Sequence, residues 1–342
     1  MRQGIIGRLF GAGLTAAAAL ASGAPARAAD QVSVQLDWVV RGNHAMFFVG
    51  QAKGFFEQNG IIVANIRKGT GSTDALRLVA NGNAEFGFGD LPTLLIGRAQ
   101  ALPVAALAAV NQKSPMAMLA VKARHPIAKP QDLKGLNVGV HPAGSTYIFL
   151  KAFLAKNGMS LQDIKQSTVA PPYENYLVLG RVDAVPGYLD AEVPELEVKT
   201  GGPGSLAIVQ GADFGYNAYG SGLFTSEKMI AEKRDVVQRF VKAYLQAFQY
   251  VIEHTDDAVA IVVKANPEYK DKGAMLKEQL EADLEHSFFS ANSKEHGIGW
   301  ISPKQWAETV ETLQSQDVLP KDASTTAGFD ARFVEAANPL KR

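Results

Sequence analysis

The chain of 342 residues contains no cysteine. A disulfide framework, a thiol nucleophile and a lipid-modified N-terminal cysteine are therefore excluded. Zinc-binding spacing is missing as well, because none of the six histidines forms an H-x-x-x-H pair. We expect neither a metal nor a cofactor.

Recognisable catalytic spacing is also lacking. Neither a Ser-His-Asp arrangement nor a pair of catalytic carboxylates can be read from the order of residues. An active site that the fold assembles from distant residues stays open.

The chain has no excess of charge of either sign, with 34 basic and 34 acidic side chains. No cluster of lysine and arginine stands out, as a nucleic acid or an anionic surface would require. We therefore expect no nucleic-acid partner.

Long apolar runs are rare, and the one that stands out lies at the N-terminus. Arg2 and Arg8 precede an apolar stretch over residues 9–21, and "ARA" stands before Ala29. A basic start, an apolar middle and an A-x-A site are typical of a secretory signal peptide. The run is shorter than the ~20 residues that a membrane-spanning helix needs. We predict that residues 1–28 are a cleaved signal and that the mature protein is free in the periplasm.

From residue 31 onward, strand-like and helix-like segments alternate. "VSVQL", "IIVANI" and "VAALAAV" have strand patterns, whereas "NHAMFFVGQAKGFFEQNG" has helical spacing. This alternation predicts an α/β fold with parallel sheets flanked by helices. A second unit of the same kind begins near residue 123, and the residues after 227 are nearly all helical.

The pattern predicts two lobes around a cleft. The first lobe would contain residues 29–121, the second lobe residues 122–220, and residues 221–342 would return to the first lobe as C-terminal helices. We expect two hinge strands, near residues 120–122 and 221–224.

Ligands of open parallel sheets bind beyond the carboxyl ends of the strands, next to helix N-termini. We therefore predict that the side chains at these positions face the cleft. They are Asp37, Trp38, His44, Ser72, Asp90, Ser145, Thr146, Tyr147, Tyr188 and Glu192.

Two helix starts are rich in glycine, serine and threonine, "GTGST" (69–73) and "AGST" (143–146). Such segments present backbone N–H groups and hydroxyls to a polar group. "GTGST" lacks the third glycine of G-x-G-x-x-G and the Gly-Lys-Ser/Thr of a P-loop. Nucleotide binding is therefore disfavoured, and a plain helix cap or a ligand-facing cap remains. Ser145 is expected to cap its helix, and Tyr147 would add an aromatic face.

The acidic stretch "DAVPGYLDAEVPELE" (183–197) is consistent with a solvated face. Tyr188 and Glu192 nevertheless follow a strand end in it. A tyrosine can stack on a flat ring, and a glutamate can accept a hydrogen bond from an amino group. Trp38 would be the equivalent platform in the first lobe.

The stretch "LDWVVRGNHAMFFVGQAKGFFEQNGI" resembles the first strand and helix of ABC-importer substrate-binding proteins of the thiamine-pyrimidine type. Further matches are "LVANGNAEFGFGD", "DLKGLNVGV", "LVLGRVDAVPGY" and "VVQRFVKAYLQAFQYVIEHTDDAV". The superfamily also contains sulfonate, taurine, nitrate and riboflavin binders. The resemblance implies a monomeric, two-lobed periplasmic binding protein of type II that delivers a small molecule to an ABC permease with its ATPase.

The resemblance also implies roles for particular residues. Trp38 and His44 fall on the tryptophan and histidine of the family, and Glu192, beside Tyr188, looks like the acidic residue that holds a pyrimidine amino group. An aminopyrimidine of the hydroxymethylpyrimidine type is therefore the expected ligand.

Two departures from the family pattern leave other ligands open. The usual Pro-Asn after the tryptophan is Val39-Val40, and Arg41 stands in the same loop. Arg41 and Lys68 are candidate contacts for an anion. An alkanesulfonate, taurine, nitrate or an aromatic carboxylate is therefore an alternative ligand, as is riboflavin.

The same family fold also hosts a pyrimidine-precursor synthase. The lysine and histidine of that enzyme align with Gly89 and Thr93, and its cysteine-rich run has no counterpart in this chain. A binding protein rather than an enzyme is therefore expected.

Overall fold

The structure, a computed structural model, describes residues 28–142, 144–170, 174–324 and 327–338. Residues 1–27 of the predicted signal peptide lie outside this part of the chain. No helix within the described ranges is long and apolar enough to cross a membrane.

The described residues form ten strands in two five-stranded sheets. The strands of the first sheet are β1 (Asp30–Gln35), β2 (Ile61–Arg67), β3 (Phe86–Asp90), β4 (Val104–Ala109) and β10 (Ser221–Ser226). The strands of the second sheet are β5 (Met116–Val121), β6 (Asn137–Val140), β7 (Lys165–Thr168), β8 (Ala184–Tyr188) and β9 (Leu206–Gln210).

The order of strands is β2-β1-β3-β10-β4 in the first sheet and β7-β6-β8-β5-β9 in the second. Each sheet contains one strand that runs antiparallel to both of its neighbours, β10 in the first sheet and β5 in the second. The sheets are therefore mixed, not purely parallel as the pattern predicted. The reversed strand in each sheet is the one that arrives from the other lobe. This architecture confirms the two-lobed α/β fold.

The crossings between the lobes lie elsewhere than predicted. Residues 116–121 pair with β8 and β9 along their whole length, and residues 221–226 pair with β3 and β4. The predicted hinges near 120–122 and 221–224 therefore fall within or at the end of paired strands. The connecting segments are residues 110–115 and 211–220, which moves the first lobe boundary from residue 121 to about residue 110.

Fourteen α-helices cover the sheets within the described residues. Those before the second crossing are α1 (Ala45–Ala52), α2 (Phe55–Gln58), α3 (Ser72–Ala80), α4 (Leu91–Ala99), α5 (Ser145–Lys156), α6 (Glu174–Val178) and α7 (Glu192–Thr200). The C-terminal helices are α8 (Glu227–Glu232), α9 (Arg234–Glu253), α10 (Thr255–Ala265), α11 (Gly273–His286), α12 (Ala291–His296), α13 (Pro303–Ser315) and α14 (Arg332–Ala337).

The C-terminal helices pack onto the first sheet and complete its core. The ring of Phe240 on α9 stacks on Phe86 of β3, with centroids 3.7 Å apart, and on Phe56 of α2 at 5.0 Å. Trp306 of α13 is fully buried against Phe329. Burial of such rings supplies most of the free energy that holds a helix on a sheet.

Helix α11 lies so close to the loop between β1 and α1 that a side chain would not fit at the point of contact. A Cβ atom at Gly42 would lie 2.7 Å from the backbone nitrogen of Leu280. Glycine is therefore required for this contact, which holds the loop between β1 and α1 against α11.

The aromatic stack gives a test of this packing. Phe240→Ala should lower the free energy of unfolding by about 3–5 kcal/mol, because it leaves a cavity against Phe86 and Phe56. Leu179→Ala, at a position where the side chain is 65% exposed, should change it by less than about 0.5 kcal/mol. Urea unfolding followed by circular dichroism measures both; equal effects would contradict the assigned core.

Candidate functional site

A buried histidine, His44, fixes the loop after β1 through two hydrogen bonds. Nδ1 of His44 accepts a hydrogen bond from the backbone N–H of Arg41 (3.1 Å), and Nε2 lies 3.1 Å from Oδ1 of Asp37. A ring nitrogen that accepts a hydrogen bond carries no proton, so the imidazole is neutral and donates from Nε2 to Asp37. His44 thus orients the loop that carries Asp37, Trp38 and Arg41.

The "GTGST" segment packs its backbone onto the same loop. The N–H of Gly69 donates to the carbonyl of Trp38 (3.0 Å), and the N–H of Gly71 donates to the carbonyl of Asp37 (2.7 Å). A Cβ atom at Gly69 would lie 2.5 Å from that Asp37 carbonyl oxygen, so this close approach requires glycine. The Ser72 hydroxyl is thereby held 3.4 Å from Oδ2 of Asp37.

Asp90 lies behind Ser72, where β3 ends and α4 begins. Its N–H donates to the Ser72 hydroxyl (3.1 Å), and its Oδ2 accepts from the N–H (2.9 Å) and the hydroxyl (2.6 Å) of Thr93. Its Oδ1 is buried without a hydrogen-bond partner among the described residues. Burial raises the pKa of Asp90 to about 7, against the hydrogen bonds from Thr93, and the nearby Asp37 raises it further.

The wall in the second lobe is formed where β8 ends and α7 begins. The Tyr188 hydroxyl lies 2.7 Å from the hydroxyl of Ser145. Burial, followed by the carboxyl groups of Asp90 and Asp37, raises the pKa of Tyr188 well above its usual value, so the ring stays neutral. Oε2 of Glu192 accepts the backbone N–H of Tyr188 (2.7 Å), which fixes this carboxylate beside the ring.

An ion pair joins the two walls across the cleft. Nη2 of Arg41, in the first lobe, lies 2.6 Å from Oε1 of Glu192, in the second. The side chains are 13% and 1% exposed. The guanidinium carbon of Arg41 also lies over the rings of Trp38 and Tyr188, at 5.6 and 5.5 Å from their centroids. Arg41 therefore occupies the space that the two rings share.

Arg41 lines two of the pockets between the lobes. The inner pocket has a volume of about 30 Å³, room for roughly two water molecules. The outer pocket has a volume of about 430 Å³. The inner pocket is lined by Asp37, Trp38, Arg41, Gly71, Ser72, His141, Gly144, Ser145, Thr146 and Tyr188. The outer pocket is lined by residues 38–41, Gly69, Thr70, Ala191, Glu192, Glu195, Tyr269, Lys272, Met275 and Gln279.

Helix α11 adds two further contacts between the lobes. Gln279 accepts from the N–H of Gly42 (3.1 Å) and donates to the carbonyl of Ala191 (3.0 Å). Asp283, also on α11, is a buried neighbour of Asp190 in the second lobe. Burial raises the pKa of Asp283 well above its usual range, and the neighbouring Asp190 raises it further.

Most of the side chains predicted for the cleft line one of these pockets. Asp37, Trp38, Arg41, Ser72, Ser145, Thr146 and Tyr188 line the inner pocket, and Glu192 lines the outer one. His44 and Asp90 are buried directly behind the inner pocket, each in contact with one of its lining residues.

Two predicted residues lie away from both pockets. The Tyr147 hydroxyl donates to Gln166 of the second sheet (3.3 Å), because the next position along a helix points about 100° away from Thr146. Lys68 forms an exposed ion pair with Glu268 of its own lobe.

The predicted cap at Ser145 is wrong. Gly144 holds the N-cap position of α5, and no side chain caps this helix. The Ser145 hydroxyl is instead committed to Tyr188, which places it on the cleft side.

Sequence reasoning missed several lining residues. His141 is not one of these, because it directly follows β6, where a ligand-facing position is expected, and it contacts the edge of Trp38 at 6.5 Å between ring centroids. Tyr269, Met275 and Gln279 come from the C-terminal helical region and have no local signal, because their approach to the cleft is a long-range contact.

Known proteins resemble this chain over most of its length. Residues 41–258 match the family model described as NMT1/THI5 like. The formylaminopyrimidine-binding protein of Halalkalibacterium halodurans is 24% identical over 89% of this chain and 91% of its own. The riboflavin-binding protein RibY of Chloroflexus aurantiacus is 25% identical, over 94% and 92% of the two chains.

An enzyme is also among the relatives. The 4-amino-5-hydroxymethyl-2-methylpyrimidine phosphate synthase THI13 of Saccharomyces cerevisiae is 27% identical, over 75% of this chain and 74% of its own. Among solved structures, the alkanesulfonate-binding protein SsuA of Xanthomonas axonopodis pv. citri bound to MOPS has a TM-score of 0.67. It is 15% identical and covers 88% of this chain and 98% of its own, which shows a common fold.

The buried Asp90 predicts a pH dependence of stability. With a pKa of about 7 in the folded state and about 3.9 in the unfolded state, it is protonated in both states below pH 4. Between pH 5 and pH 7 the unfolded state has already lost this proton while the folded state still binds it, so the wild-type protein loses stability relative to Asp90→Asn as the pH rises. The expected relative loss is on the order of 2 kcal/mol.

Urea unfolding of both proteins at pH 5, 6 and 7 measures this difference. Asp74→Asn, at an exposed position on α3, is the matched control. Its free energy of unfolding should change with pH in the same way as that of the wild type. A constant difference between Asp90→Asn and the wild type across this range would contradict the shifted pKa.

Proposed function

Because the chain belongs to the NMT1/THI5-like family, we propose that it is the solute-binding component of an ABC importer and captures a small aromatic amine between its lobes. The observation that supports this proposal is one arrangement at the cleft. The rings of Trp38 and Tyr188 come from opposite lobes, and the planar guanidinium of Arg41 lies over both of them. The buried carboxylate of Glu192 accepts a hydrogen bond from this guanidinium.

An aminopyrimidine of the hydroxymethylpyrimidine type fits this arrangement. Its ring would stack on Trp38 and Tyr188, and its exocyclic amine would donate to Glu192. The hydroxyls of Ser72, Ser145 and Thr146 would bind its polar substituents. The relative that binds formylaminopyrimidine is consistent with this ligand class. A ligand held by both lobes shifts the population of the protein toward the closed form.

An organic anion is the second candidate, favoured by the presence of Arg41 in the cleft and by the fold that the chain shares with a sulfonate-binding protein. The charges of the site argue against it. Arg41 is already paired with Glu192 at 2.6 Å, and the carboxyl group of Asp37 lines the same inner pocket. An anion would have to compete with a buried carboxylate for this guanidinium.

We propose binding rather than catalysis despite the synthase among the relatives. Gly89 and Thr93 occupy the positions that align with the lysine and histidine of that enzyme. In the fold, the Thr93 hydroxyl is committed to Asp90, and a side chain at Gly89 would meet Ser72 at 3.3 Å. Delivery to a permease further requires export, for which residues 1–28 are the proposed signal.

Replacement of the carboxylate tests the proposed ligand class. Glu192→Gln should weaken binding of 4-amino-5-hydroxymethyl-2-methylpyrimidine about 10- to 100-fold, because it removes a charged hydrogen-bond acceptor. Isothermal titration calorimetry measures this change. Glu197→Gln on the same helix is the control, because Glu197 likewise accepts a backbone N–H, that of Gly204 (2.6 Å), outside both pockets.

An alkanesulfonate titrated in parallel separates the two candidate functions. The proposal predicts no binding of the sulfonate to the wild type, and a thermal shift with the pyrimidine worth roughly 2.7 kcal/mol at ~100 times its dissociation constant. Tight sulfonate binding without pyrimidine binding would overturn the proposed ligand.

A further inference from the structure

Arg41 lies in the position that the proposed ligand would take. Its guanidinium is planar, it lies over Trp38 and Tyr188, and it donates to Glu192. These are the three contacts assigned above to the ligand. A group with the same shape and the same hydrogen bond already fills the slot.

We propose that Arg41 is an internal occupant of the ligand slot, and that the ligand is a planar nitrogen cation that displaces it. This inference rests on the proposed function and deepens it, because it names the charge and shape that the ligand must have. Aminopyrimidinium and amidinium groups have both: a flat, delocalised system with N–H donors in its plane.

The volume of the cleft supports displacement. The inner pocket holds about 30 Å³, far less than the 300–1,000 Å³ of typical ligand sites, whereas the outer pocket holds about 430 Å³. Trp38 and Arg41 line both pockets, so the arginine side chain forms part of the wall between them. Its movement outward joins the two spaces and exposes the faces of both rings.

The outer pocket contains groups that can receive the displaced side chain. Glu195 lines it, one turn after Glu192 on α7, and so does the ring of Tyr269. Burial raises the pKa of the Tyr269 hydroxyl, and the positive charge of Arg41 partly offsets this rise. In this pocket the guanidinium would share Glu195 with Lys199, which pairs with it at 2.6 Å, and the Tyr269 ring with Lys272, which lies over it at 5.1 Å.

The burial of Glu192 sets the charge of the ligand. This side chain is 1% exposed, and a buried carboxylate whose cationic partner is removed is strongly destabilising. A ligand that replaces the guanidinium must therefore bring a positive charge to Oε1. An uncharged ring of the same shape satisfies the hydrogen bond but leaves the charge of Glu192 uncompensated.

The test is removal of the occupant. Arg41→Met keeps an unbranched stem and removes the charge. If the arginine occupies the slot about ten times as often as it vacates it, the variant should bind 4-amino-5-hydroxymethyl-2-methylpyrimidine about tenfold tighter than the wild type. The variant should also bind benzamidine, a planar cation, about tenfold tighter than the wild type does. Its affinity for benzamide, the neutral isostere, should not increase. Calorimetry gives the dissociation constants.

Arg234→Met is the matched control, because Arg234 also combines a ring contact, with Phe333 at 4.4 Å, and an ion pair, with Asp330 at 3.4 Å. It lies at the start of α9, away from both pockets, and should leave every dissociation constant unchanged. Unchanged or weaker binding of both cations by Arg41→Met would overturn the inference.

The outcomes separate the inference from the proposed function. Equal pyrimidine binding by wild type and Arg41→Met would retain the proposed function and reject displacement. Tighter binding of benzamidine by the variant than by the wild type, with no pyrimidine bound by either protein, would support displacement and reject the proposed ligand. Loss of a bound sulfonate in the variant would reject both.

A structure of the wild-type protein with the bound pyrimidine tests displacement without any variant. The inference predicts that the Arg41 guanidinium has left Oε1 of Glu192 for the outer pocket and that a ligand nitrogen stands in its place. An intact Arg41–Glu192 ion pair beside the bound ligand would overturn it.

Discussion

The site depends on one interaction, the buried ion pair between Arg41 and Glu192. It links the lobes, it places a planar cation over Trp38 and Tyr188, and it limits the inner pocket to about 30 Å³. A charge pair removed from water is favourable only while both partners stay together. Parting of the lobes must therefore hydrate both charges or supply a substitute for one of them, and a cationic ligand is such a substitute.

The rest of the site keeps the two partners in position. Behind Arg41, the neutral His44 fixes the backbone of the loop and orients Asp37. Behind Glu192, the backbone N–H of Tyr188 holds the carboxylate, leaving Oε1 for a donor in the cleft. These supports are buried hydrogen bonds at the ends of strands, so they fix the positions of Arg41 and Glu192. A site with fixed polar groups can distinguish ligands by the positions of their hydrogen-bond donors.

The expectation that ligand-facing residues follow the carboxyl ends of strands predicted much of this site, because it needs only the order of strands and helices. It placed Asp37, Trp38 and Tyr188 at the cleft, where the structure has them. This expectation failed where the answer depends on rotation about a helix axis, as at Tyr147, or on pairing between distant segments. β5 was assigned to the wrong lobe because its pairing with β8 and β9 leaves no local signal. The pairing of Arg41 with Glu192, 151 positions apart, could not be predicted for the same reason.

We propose that the cleft selects a planar, positively charged heteroaromatic ligand. Mass spectrometry of the compound released from the protein, after purification from its native cells under non-denaturing conditions, tests this claim most directly. We expect the released compound to be an aminopyrimidine. After dialysis against a denaturant and refolding, the ligand-free protein should bind this compound again. Release of a sulfonate or a carboxylate instead would exclude a cationic ligand.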